Sequence, residues 1–82
     1  MPKGKVIWFN ALKGYGFIRP DDEFQADVFV HLSELKKSGL DSLSQGDEVK
    51  YQTYLSQKNR EISARIGAKN IRIINENKER EV

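Results

Sequence analysis

Hydrophobic and polar residues alternate with a period of two through most of the chain. The pattern predicts strands at Lys5 to Asn10, Tyr15 to Arg19, Val28 to Leu32, Val49 to Leu55 and Ile62 to Ile66. β-Branched and aromatic residues fill these runs, and turn formers separate them at Leu12-Lys13-Gly14, Pro20-Asp21-Asp22, Ser44-Gln45-Gly46-Asp47 and Ser56-Gln57-Lys58-Asn59. The one helical signal lasts a turn or two, with Ser33 as a candidate N-cap, Lys36 and Lys37 near the end and Gly39 just beyond. A change of phase near Gly67, from Ile62, Ala64 and Ile66 to Ile71 and Ile73, predicts a bulge or break in the last strand. Residues 75–82, NENKEREV, are expected to form a frayed polar tail behind a single domain of residues 1–74. Five short strands with one helical turn after the third fit an all-β, closed or nearly closed barrel, because closure removes edges that so small a sheet cannot otherwise protect.

The pleat then sorts the side chains. In the second strand Tyr15, Phe17 and Arg19 share one face, and Gly14, Gly16 and Ile18 the other. In the third, Phe29 and His31 lie opposite Val28, Val30 and Leu32. The aliphatic and glycine face suits the interior of a narrow barrel, so the rings that accompany cations are expected to look outward. Leaving Trp8, Tyr15, Phe17 and Phe29 partly wet forgoes roughly 1.5–3 kcal/mol for each ring, a total that rivals the stability of the whole domain. An aromatic patch kept at that cost marks an interaction surface. Bases of single-stranded nucleic acid stack on such rings while Lys and Arg meet the phosphates. Alternation alone leaves the other reading open, in which Tyr15, Phe17 and Phe29 are core.

With 82 residues there is room for one domain only, with a marginal stability of about 5–10 kcal/mol. There is no cysteine, so neither disulfides nor thiolate metal sites hold the fold. No apolar run is long enough for a signal peptide or a membrane span, and a cytoplasmic, monomeric protein without a membrane role is expected. The net charge of +2 is small but unevenly spread. Lys3, Lys5, Lys13 and Arg19 face no acid in the first segment, acids outnumber Lys36 and Lys37 from Asp21 to Glu48, and bases dominate again from Val49 to Ile74. On charge alone, a polyanion-binding face and a merely solvated surface are equally good readings. His31, the single histidine, lacks partners at ligand spacing and a nucleophile beside it, and Asp21-Asp22-Glu23 lacks the glycine-framed spacing of a cation loop. No metal, cofactor, small-molecule substrate or catalytic constellation is implied.

The run KGKVIWFNALKGYGFIRPDD followed by DVFVHLSEL resembles the bacterial cold-shock proteins and the cold-shock domain of larger proteins. Lys13 to Ile18 matches the first ribonucleoprotein-type motif of that family and Val28 to Leu32 the second, in the family's order and spacing. The likeness extends from Gly4 to Ile71 through SLSQGDEV and AKNI. KGYGF also opens the RNA-recognition-motif signature. In that fold, however, this strand follows the other aromatic motif, the next aromatic position would fall on Pro20, and two long helices are required.

The resemblance implies an antiparallel oligonucleotide-binding (OB) barrel that binds single-stranded RNA or DNA and acts as an RNA chaperone or as a regulator of transcription or translation. By position it assigns nucleic-acid contacts to Trp8, Lys13, Tyr15, Phe17, Phe29 and His31. Asp27 matches an acidic position that accepts hydrogen bonds from base edges, although a strand-entry Asp in a turn explains it equally well. Lys58 and Arg60 are candidate phosphate contacts in a stretch, residues 56–66, that aligns poorly. Three departures weaken the match: Ile7 stands where Lys is usual, Leu32 replaces a Phe, and Leu40 sits where the family often places a ring. They suggest weaker binding, or an alternative in which a more aliphatic face serves a protein partner or the chain is one domain of a longer protein. Phe24, in the Asp21-to-Ala26 loop, has no counterpart; it is expected to fold onto the barrel, the alternative being an extra ring that compensates for the weakened contacts.

Overall fold

In the computed structural model the described residues are 1–55 and 66–75. They form β1 (Lys3–Asn10), β2 (Tyr15–Pro20), β3 (Val28–His31), α1 (Leu32–Lys37), β4 (Glu48–Leu55) and β5 (Ile66–Ile73). The sheet closes into a five-stranded barrel in the order β1, β2, β3, β5, β4, closed as the pattern predicts and in the OB arrangement that the resemblance implies. Strands β1, β2 and β3 run as an antiparallel meander, and β4 pairs antiparallel with both β1 and β5. Closure comes from one parallel pair, Phe29 with Gly67, between β3 and β5. The expected strand Ile62 to Ile66 lies, apart from Ile66, outside the described residues.

The interior contains the aliphatic face that alternation assigns to it. Val6, Ile18, Val28, Val30, Val49, Ala68 and Ile71 are buried together with Tyr51, and Leu35 and Leu43 plug the barrel from α1 and the loop after it. Tyr51 is fully buried, and its hydroxyl has no hydrogen-bond partner among the described residues.

Two register shifts interrupt the pleat. In the β1/β2 ladder Val6 pairs with Ile18 but Trp8 with Phe17, so Ile7 is an extra residue in β1. In the β4/β5 ladder Lys50 pairs with Arg72 but Gln52 with Lys69, so the extra residue is in β5, where Asn70 has a φ of 51°. The predicted break in the last strand therefore exists, but at Asn70 rather than Gly67. Gly67 pairs in register with Tyr54 and has a different reason to be glycine: a Cβ there would lie 2.7 Å from Cε1 of Tyr54, whose ring crosses it.

Helix α1 begins two residues earlier than a Ser33 cap would place it. The N-cap is His31, whose Nδ1 accepts from the backbone N–H of Ser33 at 3.2 Å and sits 3.0 Å from the Ser33 hydroxyl. Leu32 is consequently the first helical residue and not the end of β3. At the other end Gly39 stands just past the helix as the sequence pattern predicted, and its φ of 81° lets Leu40 N–H donate to Leu35 O and Gly39 N–H to Lys36 O, a Schellman closure. Ser38 Oγ then accepts from Ile71 N at 3.0 Å, tying the helix to β5. Asn75, assigned above to the polar tail, is half-buried and bridges strand and loop: it accepts from Glu48 N at 2.7 Å and donates to Asp47 Oδ1 at 3.1 Å. Among the described residues no helix is long and apolar enough to cross a membrane.

Candidate nucleic-acid interface

The outer face of β1 and β2 is a ladder of cross-strand pairs: Lys5 with Arg19, Trp8 with Phe17, and Asn10 with Tyr15. Without the extra residue at Ile7, simple alternation would put Trp8 on the same side as the buried Gly4 and Val6. The bulge rotates it outward, beside Phe17. Trp8, at 37% exposure the most open of the rings in this group, meets Tyr15 and Phe17 edge-on, with centroids 5.4 and 5.7 Å away. Tyr15 and Phe17 are themselves 6.1 Å apart and nearly perpendicular. Both are half-buried, while Gly16 and Ile18 between and beyond them are buried, so these two rings belong to the outside of the barrel.

Gly16 lets the strands close. A Cβ there would stand 2.7 Å from Cα of Phe9, against backbone that has no room to yield. At the β1/β2 turn Asn10 Oδ1 accepts from Lys13 N at 3.0 Å, Gly14 takes a φ of 83°, and Leu32 N donates to Gly14 O at 2.8 Å. The exposed Lys13 is thus fixed at one end of the three rings, and Lys5 and Arg19 occupy the other, so positive charge borders the aromatic surface at both ends.

Phe29 departs from expectation. It pairs with Phe17 across β2 and β3, on the outward side, yet only 3% of it is exposed. Its other strand neighbour is Gly67, and Tyr54, reaching across that glycine, packs edge-on at 6.3 Å. Phe29 is therefore a packed ring and not one of the partly wet ones. His31 is exposed beside Tyr15, with its Nδ1 committed to the helix cap. Asp27 is exposed and lies 3.4 Å from Arg19 Nε, a pair too open to add much stability. With Lys5, Ile7, Arg19 and Gln45 it lines an open cleft of about 620 Å³. Lys58 and Arg60 lie outside the described residues.

One further expectation changes. Phe24 does not fold onto the barrel: it is 92% exposed, in a loop shaped by Asp22, whose Oδ1 accepts from Phe24 N at 3.0 Å. Leu32 and Leu40 are partly buried and pack against the core, and of the three departures only Ile7 lines the cleft beside Lys5 and Arg19. Tyr54 was missed by the sequence reading, although it shares its outward parity with Lys50 and Gln52. Its hydroxyl pKa is raised, first by burial and then by the negative charge of Glu34.

The sequence profile of the 'Cold-shock' DNA-binding domain matches residues 2–68, which include every described strand residue as far as Ala68. The chain belongs to the cold-shock domain family. A probable cold shock protein of Sinorhizobium fredii is 47% identical over 64 residues, covering 78% of this chain and 91% of that protein. The major cold shock protein of Micrococcus luteus is 51% identical over 53 residues, covering 65% and 78%. Cold shock protein 1 of Arabidopsis thaliana is 54% identical over 48 residues, which are 58% of this chain but 16% of that longer protein. In this cold-shock domain no group of three or more His, Cys, Asp or Glu side chains is placed to hold a metal ion among the described residues.

Proposed function

We propose that this cold-shock domain binds single-stranded RNA or DNA, stacking bases on Trp8, Tyr15 and Phe17 while Lys13, Lys5 and Arg19 meet phosphates at the two ends of the rings. The observation that carries the reading is the outward edge-to-face trio bordered by cations, with Trp8 turned out of the core by a bulge. His31 and Asp27 stand next to the trio with side chains exposed, the imidazole for a base face and the carboxylate for a base edge. Phe29 contributes by supporting Phe17 from the neighbouring strand. Lys58 and Arg60 remain candidate phosphate contacts on the strength of sequence alone.

The cellular role follows from the size of the effect. Three stacked bases give roughly 3–9 kcal/mol before ordering costs, against a mean of about 1.4 kcal/mol for each base-pair step. A domain of this strength holds a few bases unpaired and melts weak hairpins, but leaves long helices closed. That is the range of an RNA chaperone or of a regulator acting on weak structures in transcripts.

Trp8 is the only tryptophan, so its fluorescence reports on the site directly. Titration with short single-stranded oligonucleotides is expected to quench the indole, and a signal unchanged up to high micromolar strand refutes the proposal. Affinity is expected to fall shallowly with salt, each phosphate contact adding a slope of roughly 0.7 on logarithmic axes.

A further inference from the structure

Across the barrel surface the paired positions Trp8, Phe17, Phe29, Gly67 and Tyr54 form one continuous row through β1, β2, β3, β5 and β4. Four of the five carry rings and the fifth is a glycine. The third ring, Phe29, is covered, whereas Tyr54 keeps part of its surface open. Gly67 is what allows this. A side chain there would begin within 2.7 Å of the Tyr54 hydroxyl, so the phenol occupies the space that any other residue at position 67 would fill. The ring leans toward β3 and packs its edge against Phe29, while Glu34 of α1 is close enough to act on its hydroxyl.

We propose that Tyr54 is a further stacking residue, and that it serves the base which Phe29, buried beneath it, cannot reach. The inference rests on the nucleic-acid reading above and lengthens the site it describes. Gly67 lies two strand spacings, about 10 Å, from Phe17. A strand stacked on Trp8 and Phe17 therefore meets Tyr54 one or two nucleotides further on, and only ligands long enough to span the gap engage it. The phenol also gives the site a polar tip, a hydrogen-bond donor for a base edge or a phosphate oxygen.

The test compares the unmodified protein, Tyr54→Phe and Tyr54→Leu for binding to a single-stranded trinucleotide and a single-stranded octanucleotide, by Trp8 quenching, with thermal midpoints measured in parallel. Tyr54→Leu keeps apolar cover over Phe29 and removes only the π-face. The expected result is an octanucleotide affinity 5- to 150-fold lower in Tyr54→Leu, the range that corresponds to losing one stacked base at roughly 1–3 kcal/mol. Trinucleotide affinity is expected to stay within about twofold, and Tyr54→Phe to retain most of the octanucleotide affinity. An unchanged or increased octanucleotide affinity in a folded Tyr54→Leu overturns the proposal, as does an equal loss for both ligands. If the unmodified protein itself gives no quenching with either oligonucleotide, the stacking reading of the trio fails first, so the two failures are distinct.

Discussion

Phe29 offers the sharpest separation between a packed ring and a binding ring. It sits on the outer face of β3, where pattern reasoning would expose it, yet it is 3% exposed between Phe17 on β2 and Tyr54 on β4. Truncating a buried Phe to Ala costs about 3–5 kcal/mol, because apolar contact is lost and a cavity remains. The edge-on contact with Tyr54 accounts for roughly 0.5–1.5 kcal/mol of that. A domain of this size loses about 4–8 °C of thermal midpoint for each kcal/mol, so Phe29→Ala is expected to melt about 12–40 °C lower. Phe29→Leu, which keeps most of the volume, is expected to lose about a quarter of that. Thermal unfolding followed by far-UV circular dichroism reads both. The reasoning is refuted if Phe29→Ala stays within about 1 kcal/mol of the unmodified protein, since a ring that costs so little to remove is not part of the packing.

Other substitutions probe separate links. Tyr51→Phe is expected to raise the thermal midpoint by a few degrees, because it removes a buried hydroxyl without a partner at a cost of about 1 kcal/mol or more. Burial, and secondarily the charge of Asp21, raises the Tyr51 pKa above its usual 10.0, so its protonated form stabilises the fold below pH 10 and that stability is lost as pH climbs through the raised value. The alkaline fall in an unfolding titration is therefore expected to be shallower in Tyr51→Phe. Gly16→Ala places a Cβ 2.7 Å from the Phe9 backbone and is expected to cost about 3 kcal/mol in urea denaturation, at the upper end of overpacking. His31→Ala is expected to lower stability by about 1 kcal/mol through loss of the α1 cap, and His31→Asn to restore it.

The barrel and its inner face were legible because burial imposes a strict two-residue period. Gly16 and Ile18 against Tyr15 and Phe17, and Val28 and Val30 on β3, carry that signal in every other letter. What the period cannot convey is anything that depends on a second strand. The outward turn of Trp8 needs the register of β1 against β2, and the only hint is Ile7, an apolar residue at the parity of Lys3 and Lys5. Tyr54 covers Phe29 from a strand that follows much later in the chain, with Gly67 supplying the space, so no local window contains that contact. The same limit put the bulge or break of the last strand near Gly67, when the irregular residue is Asn70 with its positive φ. His31 was read as a candidate contact and not as a cap, since its Nδ1 reaches the Ser33 N–H only once β3 has ended. Phe24 was expected to fold onto the barrel, but its backbone N–H is held by Asp22 in the loop after β2 and its ring is left exposed.

Whether the outward rings on β2 carry the affinity is decided by the dissociation constant of Phe17→Ala for a single-stranded hexanucleotide, measured alongside its thermal midpoint. The expected result is a folded protein whose affinity is 5- to 150-fold lower, the equivalent of roughly 1–3 kcal/mol of lost stacking. A folded Phe17→Ala that binds the oligonucleotide as tightly as the unmodified protein would contradict this role of the rings.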